Sequence, residues 1–428
     1  MTVKTDKVLK EVLEEINPDE EELNSIKKIV DEFKILAEKK IKKNKIAVEI
    51  FIGGSFAKDT IIKKGKYDVD VFMRFDKKYG EKEISKLAGK IISGLKKGWK
   101  TSVIHGSRDY FRIDINPNFF IEIIPVVKVK DTKESRNITD LSYFHVNYIK
   151  KNLKKSMIDD VKLAKAFCHA NECYGAESYI NGFSGYALEL LICHYKTFTN
   201  FLKQCEKIKE KEIIDIEKKY KNKLEISMDM NSAKMTSPII LIDPTYKERN
   251  ALAALSKETF EKFKESARKF LRNPTKEMFE TKKIDFEKMK KDAIKKNAEF
   301  FLAEIKTNKQ EGDIAGSKLL KFYKHFSGET GRYYDISKKG FEYNNKKGAR
   351  FFLVTKKKKE VIIPGPEERD GKNILAFKKL HKDVFLKNKK FYAREKVSRN
   401  IYEFVILWKK KNEKKMKEMY ITNFEINN

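Results

Sequence analysis

Three things are scarce in this chain of 428 residues: cysteine, negative charge relative to positive, and long apolar runs. The four cysteines, at 168, 173, 193 and 205, form no CxxC pair and have no histidine at zinc-finger spacing. That excludes a disulfide scaffold and a zinc ribbon, and predicts reduced core residues. No segment approaches the uninterrupted apolar length needed to span a bilayer, and MTVKTDKVLKEVLEEINPDEEE lacks the hydrophobic stretch of a signal peptide. A soluble, cytoplasmic protein with no membrane partner is the expectation. Repeats at solenoid spacing are absent too. Asp and Glu total 63 against 94 Lys and Arg, a formal net charge of +31. A lysine-biased set of solvated helix faces explains the preference for Lys over Arg but not the size of this excess. A polyanionic partner is the natural reading of that excess.

Hydrophobic residues make up 40% and aromatics 12%, enough for real cores, and the length predicts two to four compact units. Residues 5 to 43 carry helical periodicity, as in Leu9, Val12, Leu13 and Ile16, then Ile26, Ile29, Val30, Phe33, Leu36 and Ala37. The period then changes. IAVEIFIGGSF (46 to 56) and YDVDVFMRF (67 to 75) read as strands, with helical material between 81 and 97. YFRIDIN and FFIEIIPVVKV (110 to 129) read as a hairpin turning at Asn116, Pro117 and Asn118. An α+β unit around a small mixed sheet follows. From 151 the pattern is helical, interrupted by GAESYINGFSGY, with the strand PIILID before another helix at 249 to 271. The remainder mixes helices with strands such as ARFFLVT and the stretch IYEFVILW, and contains lysine runs at 356 to 359 and 409 to 411. The expected division is 1–150, 151–272 and 273–428.

The chemistry-bearing residues cluster in the first part. Side chains two apart on a strand share a face, so Asp68 and Asp70 in DVDVF project together while Val69 and Val71 turn inward. Glu122, in FFIEIIP, is another acid flanked by apolar residues, where solubility does not account for it. Three carboxylates on neighbouring strands are what two-metal phosphoryl transfer requires. Before them, Gly53-Gly54-Ser55 follows a strand and opens SFAKDT, a turn whose backbone N–H groups suit phosphate, with the Ser55 hydroxyl as a further donor. GGS and DxD are each weak alone. Together in this context they point to metal-assisted nucleotidyl transfer.

Two further blocks are more specific. CYGAESYINGFSGYALELLICHY (173 to 195) and IDPTYKERNALAALS (242 to 256) resemble the YGAE…GFSGYLCELL and DPxDxxRNVAAxLS segments of the archaeal-type (class I) CCA-adding enzymes, the tRNA nucleotidyltransferases. The resemblance runs from about residue 45 to 272 and is thinner to about 400, where PGPEERDGKNILAFKKL resembles a GPP-containing element.

The resemblance implies an α+β multidomain fold. A polymerase-beta-like nucleotidyltransferase head (1–150) is followed by a helical central domain completing the nucleotide site (151–272) and α/β domains binding tRNA (273–428). It implies Asp68, Asp70 and Glu122 as the catalytic, Mg²⁺-binding triad, and Gly54 and Ser55 at the triphosphate. Ser142 stands where the family usually has Thr, His145 lies near the nucleotide, Lys165 and Tyr174 hold the triphosphate, and Arg249 reads the base. Substrates would be CTP and ATP, and the partner a tRNA 3′ end gripped at acceptor stem and elbow; homodimerisation is a further implication by analogy. Three departures stand out: Glu122 replaces an Asp, Tyr246 replaces the second acid of DPxDxxRN, and the loop KKGKYD is one residue longer than usual. Partial CCA addition, a poly(A)- or oligoadenylate-type transferase, and a non-catalytic RNA-binding relative remain as other readings.

Overall fold

A computed structural model of the chain describes residues 3–427 apart from 64, 107, 282 and 283. Lys64, in the loop expected to run long, is therefore outside the described residues. The chain divides into two compact units, Met1–Lys282 and Lys283–Asn428. The fold is α+β, and no helix among the described residues is long and apolar enough to cross a membrane.

The first unit opens with α1 (Val3–Ile16) and α2 (Glu20–Asn44), then β1 (Val48–Ile52), β2 (Tyr67–Phe75), α3 (Glu81–Ile92), β3 (Lys100–Ile104), β4 (Tyr110–Asn116) and β5 (Phe119–Val127). The five strands form one mixed sheet in the order β1-β2-β5-β4-β3, in which only the β2–β5 pairing is parallel. Alternation fixes its faces. Val69, Val71, Ile121 and Ile123 are fully buried against Phe33, Ala37, Ile84, Ala88 and Ile91 of α2 and α3, while Asp68, Asp70 and Glu122 turn to the other face. The strand β3 went unforeseen because its side chains from Lys100 to Val103 are exposed and carry no apolar alternation.

A helical part follows: α4 (Ser142–Asn152), α5 (Ile158–Ala170), α6 (Gly185–Tyr195), α7 (Phe198–Lys207), β6 (Glu212–Ile214), α8 (Lys223–Asp229), β7 (Ile239–Leu241) and α9 (Lys257–Arg272). Its core is aromatic, with Phe167 edge-on to Phe198, Phe263, Phe270 and Phe279, and it takes in Leu9 and Val12 from α1. All four cysteines are free and buried. The helix expected over 249–271 begins only at Lys257. Ser256 caps it by accepting from Thr259 N, and the Asn250 side chain accepts from Leu241 N and Leu252 N, holding 249–255 as turns.

The second unit comprises α10 (Phe286–Lys295), β8 (Glu299–Thr307), α11 (Asp313–Tyr333), β9 (Tyr334–Tyr343), β10 (Gly348–Lys357), β11 (Glu360–Glu367), α12 (Gly371–Leu380), β12 (Asp383–Lys387), β13 (Lys390–Lys396), α13 (Ile401–Lys411), α14 (Glu413–Glu418) and β14 (Ile421–Asn427). It holds a four-stranded antiparallel sheet, β14-β8-β10-β9, and a smaller one, β11-β13-β12. IYEFVILW is not a strand: it lies in α13, capped by Asn400, and buries Ile401, Val405 and Trp408 at helical spacing. A short apolar run is ambiguous by period alone, and here the capping pair Asn400 and Glu403 decides it.

One buried ion pair ties the sheet to the start of α4. Asp140 accepts from Arg108 Nη1 at 2.6 Å, Val127 N at 2.9 Å, Arg136 N at 2.9 Å and Asn137 N at 3.0 Å, and Arg108 also reaches Glu81. Both Arg108 and Asp140 are buried. Asp140→Ala leaves the guanidinium without its buried partner and is expected to cost about 3 to 5 kcal/mol of unfolding free energy in denaturant titration. A loss below about 1 kcal/mol would contradict this anchoring role.

Candidate active site

The polar face of the sheet carries a grid of partly exposed side chains. Asp70 of β2 lies beside Glu122 of β5, which lies opposite Arg112 of β4; one step along, Asp68 lies beside Phe120, opposite Asp114. Neighbouring strands are about 4.8 Å apart, so Asp68, Asp70 and Glu122 share one small patch. The turn after β1 closes over it. Gly53 N donates to Asp70 O at 2.8 Å, and Gly54, at φ +63°, lies so close that a Cβ there would sit 1.8 Å from Asp70 Oδ2. Only glycine fits that position, on conformation and on space alike. Ser55 lies in the same turn, partly buried, its carbonyl accepting from Lys58 N and Thr60 N.

Beyond the turn is a buried charge cluster. Glu189 of α6 is fully buried and faces Lys58 Nζ at 2.5 Å and Lys165 Nζ at 3.1 Å, with Thr60 Oγ1 donating at 3.0 Å. Lys165 also donates to Thr60 O and Oγ1, at 3.2 and 2.8 Å. Burial pushes the Glu189 carboxyl up, but the two ammonium groups outweigh it and the net direction is down. Two lysines to one carboxylate leave a net positive charge beside the Gly54-Ser55 turn, as an anion site requires. Gly185 separates Tyr174 from Lys165: a Cβ there would sit 2.9 Å from the phenol oxygen and 3.7 Å from Lys165 Cε. Tyr174 has its ionisation pushed well up, by burial first and then by Glu189, Asp68, Glu177 and Asp70, which places it in the field of the carboxylate patch.

A second cluster centres on Asp243, fully buried, in IDPTYKERN. It accepts from Arg249 Nη1 at 2.6 Å, Tyr186 OH at 3.0 Å, and Thr245 N and Oγ1 at 2.8 Å. His145 Nε2 lies 3.1 Å from its Oδ2 without hydrogen-bond alignment, and the imidazole stacks on Tyr186 with centroids 4.1 Å apart. Burial lowers the His145 pKa against the pull of Asp243, favouring the neutral ring. Asp243 is held well below the usual carboxylate range, burial being outweighed by the Arg249 guanidinium and the Thr245 N–H among its partners. Ser142 begins α4 three residues before His145, on the same helix face. Tyr246, in place of the family acid, donates its hydroxyl to Glu248 at 3.2 Å, and its backbone N donates to Asp243 O at 3.2 Å.

His145 and Arg249 are thus brought together, as are Lys165 and Tyr174, and Tyr174 links the second pair to Asp68 and Asp70. Sequence reasoning missed Glu189, Lys58, Thr60 and Asp243. Glu189 sits in an apolar helical run, YALELLICHY, the same signal that singled out Glu122.

A mixed sheet bearing paired aspartates beneath a Gly-Gly-Ser turn, completed by a helical part, defines a nucleotidyltransferase. Residues 159–280 match the family model "tRNA nucleotidyltransferase, second domain", and residues 1–153 match the model for Second Messenger Oligonucleotide or Dinucleotide Synthetase domains. The chain is 39% identical over 277 residues to the CCA-adding enzyme of Nanoarchaeum equitans, covering 64% of this chain and 67% of that enzyme. It is 33% identical over 273 residues to the CCA-adding enzyme of Pyrococcus abyssi, covering 63% and 60%. Among solved structures, the Cid1 poly(U) polymerase superimposes with a TM-score of 0.51 at 13% identity, over 65% of this chain and 99% of that one, a likeness of fold. The chain belongs to the archaeal-type CCA-adding enzymes. The aligned part spans about two thirds or less of the length of these two relatives.

Membership in that family implies a divalent metal ion, and the donor set fits one. Asp68, Asp70 and Glu122 offer only hard oxygen ligands, which suit a small divalent cation. Among the described residues no three His, Cys, Asp or Glu side chains close around a metal position. An open patch of this kind suits an ion that takes one or two carboxylates and completes its shell with water and substrate phosphate.

The Glu189 cluster makes a pH prediction. A carboxyl held below its unfolded value contributes stability above about pH 4.3, which is lost as pH falls through the folded value. Denaturant titrations of the protein at pH 7 and at steps from about pH 4 to about pH 2 should show that loss growing, and Glu189→Gln should be less stable at pH 7 but less sensitive to acid. An equal acid sensitivity in the variant would remove Glu189 as its source.

Proposed function

We propose that this protein adds C, C and A to the 3′ end of tRNA from CTP and ATP without a nucleic-acid template, with Mg²⁺ and release of pyrophosphate. The observation that carries the proposal is the Gly54 backbone closed on Asp70, itself registered beside Glu122, next to the buried excess of positive charge at Lys58, Lys165 and Glu189. Asp68, Asp70 and Glu122 would hold the metal ions. Bound there, they would supply the charge that acidifies the attacking hydroxyl and neutralises the leaving group. The RNA 3′-oxygen attacks the α-phosphorus, the bond to the bridging oxygen breaks, and pyrophosphate departs. Gly54 and Ser55 present N–H and hydroxyl donors to the triphosphate, with Lys165 and Tyr174 at its far side.

Ser142, His145 and Arg249 receive the base and sugar. Arg249 has Nη1 fixed by Asp243, so its guanidinium is oriented before substrate arrives, and fixed donors are what base discrimination needs. In this reading residues 1–150 are the catalytic head, 151–272 complete the nucleotide site, and 273–428 grip the acceptor stem and elbow by shape and phosphate contacts. A Tyr246 hydroxyl bonded to Glu248, where the family has an acid, supports partial CCA addition as the second reading.

Incubating the protein with tRNA lacking CCA, ending in C, or ending in CC, each with CTP or ATP singly, and sequencing the products should show two C residues added to the first and one to the second from CTP, and one A added to the third from ATP. A uniform adenosine tail on every substrate would overturn the proposal in favour of a polymerase, and failure to add A to tRNA ending in CC would favour the partial enzyme. Asp68→Ala and Asp70→Ala should each abolish incorporation. Gly54→Ala should reduce it by about 100-fold or more, because displacing Asp70 by an ångström removes its alignment. Wild-type rates in both aspartate variants would end the metal-centred mechanism.

A further inference from the structure

Beside the carboxylate patch, the grid holds two residues that the nucleotide site leaves without a role. Phe120 is a partly exposed aromatic on the polar face of β5, flanked in register by Asp68 and Asp114. An apolar ring at that position gains little from the core. Arg112 lays its guanidinium over this ring, with Cζ 3.9 Å from the centroid. The same guanidinium is held edge-on by Asp114, whose Oδ1 lies 2.9 Å from Nε and 2.8 Å from Nη2.

This arrangement decides what Arg112 offers. Its charge is paired with Asp114 and two of its nitrogens are engaged, so a phosphate would meet a partly neutralised group with its Nε already taken. Its orientation is fixed, one flat side lies on Phe120, and 29% of the side chain remains exposed. A guanidinium plane backed by an aromatic ring is a surface on which nucleic-acid bases stack. Arg112 lies directly across from Glu122, with Cβ atoms about 5 Å apart, so a base seated there has its ribose beside the carboxylates. The incoming nucleotide's phosphates are already accounted for by the turn and the lysine cluster on the β1 side of Asp70. The β4 side is where the acceptor must approach.

We propose that the Arg112–Phe120 stack, locked by Asp114, is the seat of the terminal base of the acceptor RNA, and so positions the attacking 3′-hydroxyl. The proposal rests on the reading of this chain as an RNA 3′-end nucleotidyltransferase. A stacking surface tolerates any base, which suits an acceptor whose last nucleotide changes after every addition.

The test uses the full-length protein, an acceptor tRNA lacking CCA, and the same RNA carrying 2-aminopurine as its 3′-terminal base. Arg112→Ala and Phe120→Leu should raise KM for the RNA about tenfold to a hundredfold while leaving KM for CTP within about twofold. Wild-type protein should shift the 2-aminopurine fluorescence on binding, and both variants should lose that shift. Arg112→Lys, which keeps the charge and loses the plane, should behave like Arg112→Ala. Full rescue by lysine would overturn stacking in favour of a phosphate contact. An unchanged KM for RNA, or an equal rise for RNA and CTP, would overturn the seat altogether. The fluorescence shift needs no turnover, so its loss or persistence judges the seat even if the incorporation assays refute the proposed reaction.

Discussion

The site depends on one buried interaction, that of Glu189 with Lys58 and Lys165. It joins three separate pieces of chain: the turn after β1 through Lys58 and Thr60, α5 through Lys165, and α6 through Glu189 itself. The turn is also the segment whose Gly54 backbone rests on Asp70. The helical part therefore sets where the phosphate-facing turn lies relative to the carboxylates. Burying three charged groups is costly unless each is paired and hydrogen-bonded. Here the oxygens of Glu189 and Thr60 supply those partners, and two ammonium groups stand against one carboxylate. That balance suits the anion site proposed for the cluster, alongside its role as a brace.

The geometry also qualifies the role carried to Lys165. Its ammonium has three N–H groups and finds three acceptors within 3.2 Å: Thr60 O, Thr60 Oγ1 and Glu189 Oε1. A direct bond to a triphosphate requires that one of these be exchanged. Lys58, by contrast, has Glu189 as its one hydrogen-bonded acceptor among the described residues. The two lysines are therefore not equivalent, although in composition they are indistinguishable among so many others.

What was legible in the sequence followed from local rules. The alternation in YDVDVF and FFIEIIP put acids on one face and valine or isoleucine on the other, and the sheet shows that face. Gly54, read in the Gly-Gly-Ser turn, stands where Asp70 approaches too closely for a Cβ. The parts that were not legible depend on partners far apart in the chain. Glu189 meets Lys58 across 131 residues, and Asp243 meets Tyr186 across 57, so no local pattern names either pair. IYEFVILW was misjudged for the opposite reason: a short apolar run suits strand and helix alike, and the residues that decide it lie at its cap. The helix expected from 249 failed because Asn250 bonds its own neighbourhood's backbone, an alternative that Asn offers and propensity does not count.

The departure most damaging on paper was Glu122 in place of an aspartate, and its surroundings bear on how well it is accommodated. Arg112 stands directly opposite, and an unpaired guanidinium there would draw the longer carboxylate toward β4 and away from Asp70. Asp114 shares that guanidinium. By engaging Nε and Nη2, Asp114 turns it along β4 and onto Phe120. The register pairs Glu122 with Asp70, and Asp114 takes part of the Arg112 charge that would otherwise face Glu122 alone. On the proposed reaction a single lock on Arg112 would serve both sides: it would leave the carboxylates more open to a metal, and it would present a flat surface to the RNA.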